Sequence, residues 1–162
     1  MGGLVETVRR VRPELAVPEA FEPPLAARVA SARDAWRDIA VEPSRFVTFL
    51  APRLAAPIET SLDQLHVEDL YLVCGCLDAA PPAIAAFDRT CLSGIDLAIS
   101  AAGASAADRP ALRRAVRERL LVASGDGAPR LAAYAGKGSL GSWVRIFAMR
   151  EAQRLLAVGP PA

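Results

Sequence analysis

Apolar positions recur every three to four residues along most of the chain, the period of an amphipathic helix. From about Pro24 to Ile39, the side chains of Leu25, Val29, Ala32, Trp36 and Ile39 share one face, and a proline is tolerated in the first turn. Ser44 caps a second, short helix with Phe46, Val47, Phe49 and Leu50 inward, closed at Pro52. After a connector at residues 57–61, His66 opens a third, with Val67, Leu70, Tyr71, Val73 and Leu77 apolar, and Pro81-Pro82 breaks it. A longer helix is predicted from about Pro82 to Ala102, with Ile84, Phe87, Cys91, Ile95 and Ile99 on a four-residue rhythm. Residues 103–107 form a small-residue loop. Ser105 or Asp108 then caps a helix with Pro110 in its first turn and Leu112, Val116, Leu120 and Leu121 inward. A turn at 124–129 and a short helix at 130–134 lead to the last helix. No useful apolar/polar alternation appears, so strands are not predicted. The pattern predicts an all-α fold, a compact bundle of about five to six helices.

The last helix is the most informative. A glycine-rich turn with Gly136 and Gly138 opens it, and Ser139 or Ser142 is placed to cap it. At about 100° per residue, Leu140, Val144, Ala148, Ala152, Leu155 and Leu156 fall on one arc and read as a core stripe. Ser142, Arg145, Arg150, Gln153 and Arg154 fall on the other. Trp143 lies between Arg150 and Arg154, outside the core arc, with Phe147 on the border. An aromatic inside an arginine-bearing arc is suited to stacking on bases while guanidinium groups meet phosphates. The same periodicity also fits an ordinary amphipathic helix whose Trp143 is covered by a neighbouring segment.

Composition narrows the class. With 162 residues, 52% hydrophobic and 23% charged, the chain suits one globular domain, or one with a smaller appendage. Aromatics are only 6% and alanine supplies much of the apolar count, which favours close-packed helices. The net charge of +1 hides an asymmetry: residues 109–154 hold ten Arg/Lys against three acids, a balance of +7. A basic third on a near-neutral chain fits a surface facing a polyanion, or equally solvated faces paired with the acidic remainder. No apolar run reaches transmembrane length, and the start MGGLVETVRRVRPE has no apolar core of signal-peptide length. A cytoplasmic location, without a membrane partner, is expected.

Catalytic and metal chemistry find little support. Cys74, Cys76 and Cys91 make an odd count without a disulfide or zinc spacing, and His66 is the only histidine. Buried reduced thiols are expected, with no metal and no cofactor. There is no GxxxxGK[ST] loop and no HExxH, and nothing pairs a nucleophile with a base, so an enzyme is not expected.

Three segments carry a family resemblance: LHVEDLYLVCGCLDAAPPAIAAFDRTCL (65–92), LRRAVRERLLV (112–122) and YAGKGSLGSWVRIFAMREAQRLL (134–156). In this order they resemble region two of the bacterial RNA polymerase sigma factors of the sigma-70 family. They look most like the divergent, extracytoplasmic-function-like proteins common in myxobacteria. ARDAWRDIAVEPSRFVTFLAPRL (32–54) is also similar to the leader of those proteins. The most specific string is the last, aromatic-x-Gly-x-Gly-x-Leu-x-x-Trp followed by an arginine-bearing helix. Prolines among mixed charges predict an extended or partly disordered lead-in at 1–23, with a short turn of helix at 4–11, and a helical appendage follows at 24–64. A region-two-like domain would follow at 65–158, and a tail at 159–162.

What the family does supplies the functional expectation. One region-two helix docks on the β′ clamp helices of the polymerase core, and the helix after the glycine turn recognises and helps melt the −10 promoter element. The resemblance then implies Tyr134 and Trp143, with Phe147, as aromatics beside unpairing DNA. It implies Lys137, Arg145, Arg150 and Arg154 as contacts to phosphate, with Arg150 also placed for a base. Docking would fall to Leu112, Arg113, Val116 and Arg117. One departure is chemical: the family's acidic docking pair is replaced here by Arg114 and Ala115. The expectation is a transcription-initiation module that binds core polymerase and promoter DNA, and that an anti-sigma protein could regulate. Its alternative is a sigma-derived protein-interaction module that sequesters a regulator and does not touch DNA.

Overall fold

A computed structural model describes residues 3–125 and 127–158. The expected tail at 159–162 and the first two residues of the expected lead-in lie outside the described residues. Among these residues every regular element is helical, with one isolated bridge between Ser124 and Gly127. Nine α-helices are described: α1 Leu4–Val11, α2 Glu22–Ala35, α3 Pro43–Leu50, α4 Ile58–Gln64, α5 Val67–Leu77, α6 Pro81–Phe87, α7 Ile95–Ala101, α8 Arg109–Leu121 and α9 Leu140–Ala157. The all-α expectation holds, while the count exceeds five to six because α4 forms at an expected connector, the helix expected over 82–102 divides into α6 and α7, and the turn at 4–11 is a helix. The chain divides into two compact units. One runs to Ala83 and includes Ala135–Gly138, and the other takes Ile84–Tyr134 and the chain from Ser139.

In the first unit, α2 packs on α5, and α1 packs on α2 and α3. Its centre is Tyr71, fully buried, whose ring meets Phe46 edge-on with centroids 5.3 Å apart. The Tyr71 hydroxyl donates to the Ile39 carbonyl at 2.7 Å and accepts from the Val41 amide at 3.1 Å. One phenol thus satisfies two backbone groups that burial would otherwise leave unpaired. The short helix expected at 4–11 is α1, and the segment around it is packed against the unit. Val5, Val8 and Phe21 are buried, and the Arg12 guanidinium donates to the carbonyls of Ala51, Pro52 and Leu54. Apolar burial on one face of a short helix, joined to a long-range arginine cap, orders a segment whose prolines suggest otherwise.

Other boundaries also move. The α2 helix stops at Ala35, and Trp36 turns out of it, its indole N–H donating to the Glu68 carbonyl at 3.0 Å. The expected connector at 57–61 is the start of α4, with Ile58 and Leu62 buried. His66 sits at the N-cap of α5, as its place at a helix start suggested.

In the second unit the single helix expected over 82–102 is interrupted. A π-helical turn at Asp88–Leu92 follows α6, and Ser93-Gly94 separates it from α7. Phe87, Cys91, Ile95 and Ile99 nonetheless all point inward, because the wide turn absorbs residues without rotating the apolar face. The α9 helix packs on α7, on α8 and on the π turn.

The three cysteines are free and buried. Burial pushes the Cys74 thiol up to about 11, partly offset by the nearby Arg45 guanidinium. Folding thus favours the protonated thiol, a preference present below pH 9 and lost as pH rises through about 11. With Ellman's reagent at pH 8, the folded protein is expected to titrate almost no thiol, and three per chain in denaturant. Prompt reaction of the folded protein would contradict the buried placement.

Candidate functional site

Helix α9 positions the site. The Ser139 hydroxyl accepts the Ser142 amide N–H at 3.2 Å, satisfying one of the donors a helix start leaves open. Leu140, Val144, Ala148 and Ala152 form a fully buried stripe at four-residue spacing. Leu155 and Leu156, expected on the same stripe, are only half-buried near the helix end.

That anchored stripe turns a second face outward. Trp143 and Phe147, one turn apart, lie with their rings nearly parallel at 10° and their centroids 5.9 Å apart. Tyr134 meets the Trp143 ring edge-on at 5.7 Å. The Arg130 guanidinium lies over Phe147, 5.9 Å from its centroid. Arg119, Arg130, Trp143, Ile146, Phe147, Arg150, Glu151 and Arg154 line a single cleft of about 560 Å³. That volume falls in the range of sites for small organic ligands. Half of the Ile146 surface, 49%, remains open to solvent.

The electrostatics are one-sided. Four guanidinium groups face one carboxylate, Glu151, which is only 5% exposed. Arg154 grips it through two nitrogens, Nε to Oε2 at 3.2 Å and Nη2 to Oε1 at 2.5 Å. Arg119 Nε stands 3.5 Å from the same Oε1. The bond from Arg154 holds the Glu151 carboxyl below the usual carboxylate range, against the opposing pull of burial, with weaker help from Arg119 and Arg130. The carboxylate therefore stays ionised at neutral pH, and its stabilising pairing is lost only as pH falls through that lowered value. The cleft keeps a net balance of three positive charges around a π surface. Such a set is suited to holding planar rings and anions.

The expected site residues separate into groups. Trp143, Phe147, Arg150 and Arg154 line the cleft together. Arg145 is exposed on α9, donating to the Ser142 hydroxyl at 3.1 Å. Lys137 is exposed within the glycine turn, which groups with the first unit. Tyr134, only 1% exposed, meets Trp143 from inside the fold. Of the residues expected to dock, Leu112 and Val116 are fully buried and hold α8 in its own core. Arg113 is paired with Asp96 at 3.0 Å, and Arg117 with both oxygens of Asp88 at 2.8 and 3.0 Å.

Arg119, Arg130 and Glu151 belong to the site without having been singled out from the sequence. Glu151, a lone acid whose helical phase puts it on the core stripe between Leu140 and Val144, three residues before Arg154, carried a readable signal. Arg119 and Arg130 come from other elements, and no local pattern points to them.

Among the described residues, no group of three His, Cys, Asp or Glu side chains could hold a metal ion, and no helix is long and apolar enough to cross a membrane. No protein-family model, no curated protein and no solved structure matches the chain.

Proposed function

We propose that the second unit is a sigma region-two-like transcription-initiation module, acting in the cytoplasm with core RNA polymerase. Its α9 face holds the unpaired strand of a −10 promoter element. The observation that carries the reading is the cleft itself: parallel Trp143 and Phe147 rings bordered by Arg119, Arg130, Arg150 and Arg154. Aromatic platforms flanked by cations are the common means of holding single strands, since every base has a π face and every nucleotide a phosphate. From Phe147 to Arg154 the helix rises about 10 Å, at about 1.5 Å per residue. Base stacking at one end and phosphate contact at the other fit that length.

A second reading has its own support. Leu112 and Val116 are buried, Arg113 and Arg117 are spent on Asp96 and Asp88, and Arg114 and Ala115 stand where the resembling family carries its Gln-Glu-like docking pair. A sigma-derived module that binds another protein instead of polymerase and DNA would tolerate all three. A forked promoter probe and a core-polymerase pull-down separate the readings. For probe binding, log K is expected to fall with log salt with a slope of roughly −2 to −3, about −0.7 for each single-strand phosphate neutralised. No binding to either partner, or probe binding insensitive to salt, would sink the first reading.

A further inference from the structure

A buried carboxylate in the middle of a cationic cleft needs a reason. Removing a charge from water is costly, and an apolar residue at such a place often leaves a fold as stable or more so. The neighbouring buried positions on α9 are indeed small or aliphatic: Val144, Ala148 and Ala152. The fold's packing therefore does not explain Glu151.

Its geometry does. Arg154 presents one edge to Glu151, its Nε and Nη2, which leaves Nη1 and the outer hydrogen of Nη2 for another acceptor. Arg119 arrives from α8 with its Nε 3.5 Å from the shared Oε1, and that Nε is buried without a hydrogen-bond acceptor. One carboxylate so draws two guanidinium groups from two helices to one side of the cleft. Arg150, in contrast, has no ion-pair partner among the described residues, and Arg130 rests on the Phe147 ring. Long arginine side chains lose rotamer freedom when they grip an anion, and fixing them beforehand removes part of that cost.

We infer that Glu151 is a positioning residue, which presets Arg119 and Arg154 as a two-guanidinium seat for a nucleic-acid phosphate next to the Trp143–Phe147 platform. The inference rests on the single-strand reading of this cleft and adds the division of labour within it. Arg119 and Arg154 are the prearranged phosphate contacts, while Arg130 and Arg150 adjust to the strand.

The test exploits opposite signs. Glu151→Gln adds one positive charge to the cleft, so charge alone makes a DNA strand bind more tightly and with a steeper salt dependence. Loss of positioning makes it bind more weakly. With a fluorescein-labelled single-stranded oligonucleotide, Glu151→Gln is expected to bind about tenfold more weakly, the loss of a charge-assisted contact, with a shallower salt slope. Circular dichroism establishes that the variant is folded. In an Arg154→Ala background, adding Glu151→Gln is expected to change affinity by less than about twofold, because the group it positions is already gone. Should Glu151→Gln fail to fold, Arg119→Ala and Arg154→Ala serve instead, and their losses are expected to be less than additive. Wild-type protein that ignores the oligonucleotide overturns the single-strand reading and this inference with it. Wild type that binds, with Glu151→Gln equal or tighter, or with fully additive arginine losses, overturns the inference alone.

Discussion

Trp143→Ala is expected to weaken binding of a single-stranded oligonucleotide by about 1–3 kcal/mol, roughly 5- to 150-fold, the range of one base–aromatic stack. Trp143 is half-buried, with Tyr134 edge-on and Phe147 parallel to it, and it lines the cleft. Trp143→Phe keeps a π face and is expected to recover most of the affinity. The measurement also separates stacking from packing. A ring that only packs would lower the melting temperature on truncation while the folded fraction bound DNA as before. Fluorescence gives a second readout, because the only other tryptophan, Trp36, lies in the first unit with its N–H on the Glu68 carbonyl. In a Trp36→Phe background, stacked bases should quench Trp143, and an unchanged spectrum at saturating DNA would argue against a base on that ring.

How much of this was legible follows from the range of the interactions involved. The buried stripe of α9 could be read because helix periodicity is local, and it set Trp143 beside Arg150 and Arg154 before any neighbour was known. Periodicity could not say whether that tryptophan was covered. The structure combines both possibilities, since Trp143 is half-buried against Tyr134 and also lines the cleft. Tyr134 stands next to α9 in sequence, yet its ring belongs to the core, which its place in the motif does not reveal. Leu112 and Val116 show the same limit from the other side. Their helical phase marked them as inward-facing, and the docking role came from the family likeness alone. Arg119 and Arg130 reach the cleft from α8 and from the turn before Tyr134, and only tertiary packing brings such residues together.

The glycine turn makes the sharpest stability prediction, because its two glycines resemble each other in sequence and differ in space. Gly136 has φ +78, the left-handed region that side chains resist at a cost of roughly 1–2 kcal/mol. A Cβ there would also stand 2.6 Å from the Leu70 Cδ1 atom, in a position where overpacking costs about 1–3 kcal/mol. Leu70 is fully buried on α5, one turn after His66, whose amide donates to the Gly136 carbonyl at 2.8 Å. The close approach of the turn and that hydrogen bond are one arrangement, and a methyl group at 136 pushes both apart. Gly136→Ala is therefore expected to destabilise the protein by about 2–5 kcal/mol, a fall in melting temperature of roughly 5–15 °C for a chain of this size. Gly138 has no positive φ, and a Cβ there meets nothing within 4 Å. Gly138→Ala is expected to be neutral or to stabilise by up to about 1 kcal/mol, through reduced freedom of the unfolded chain. Thermal denaturation of the two variants side by side checks both claims. Equal effects would mean that the turn is held neither by its backbone conformation nor by its approach to Leu70.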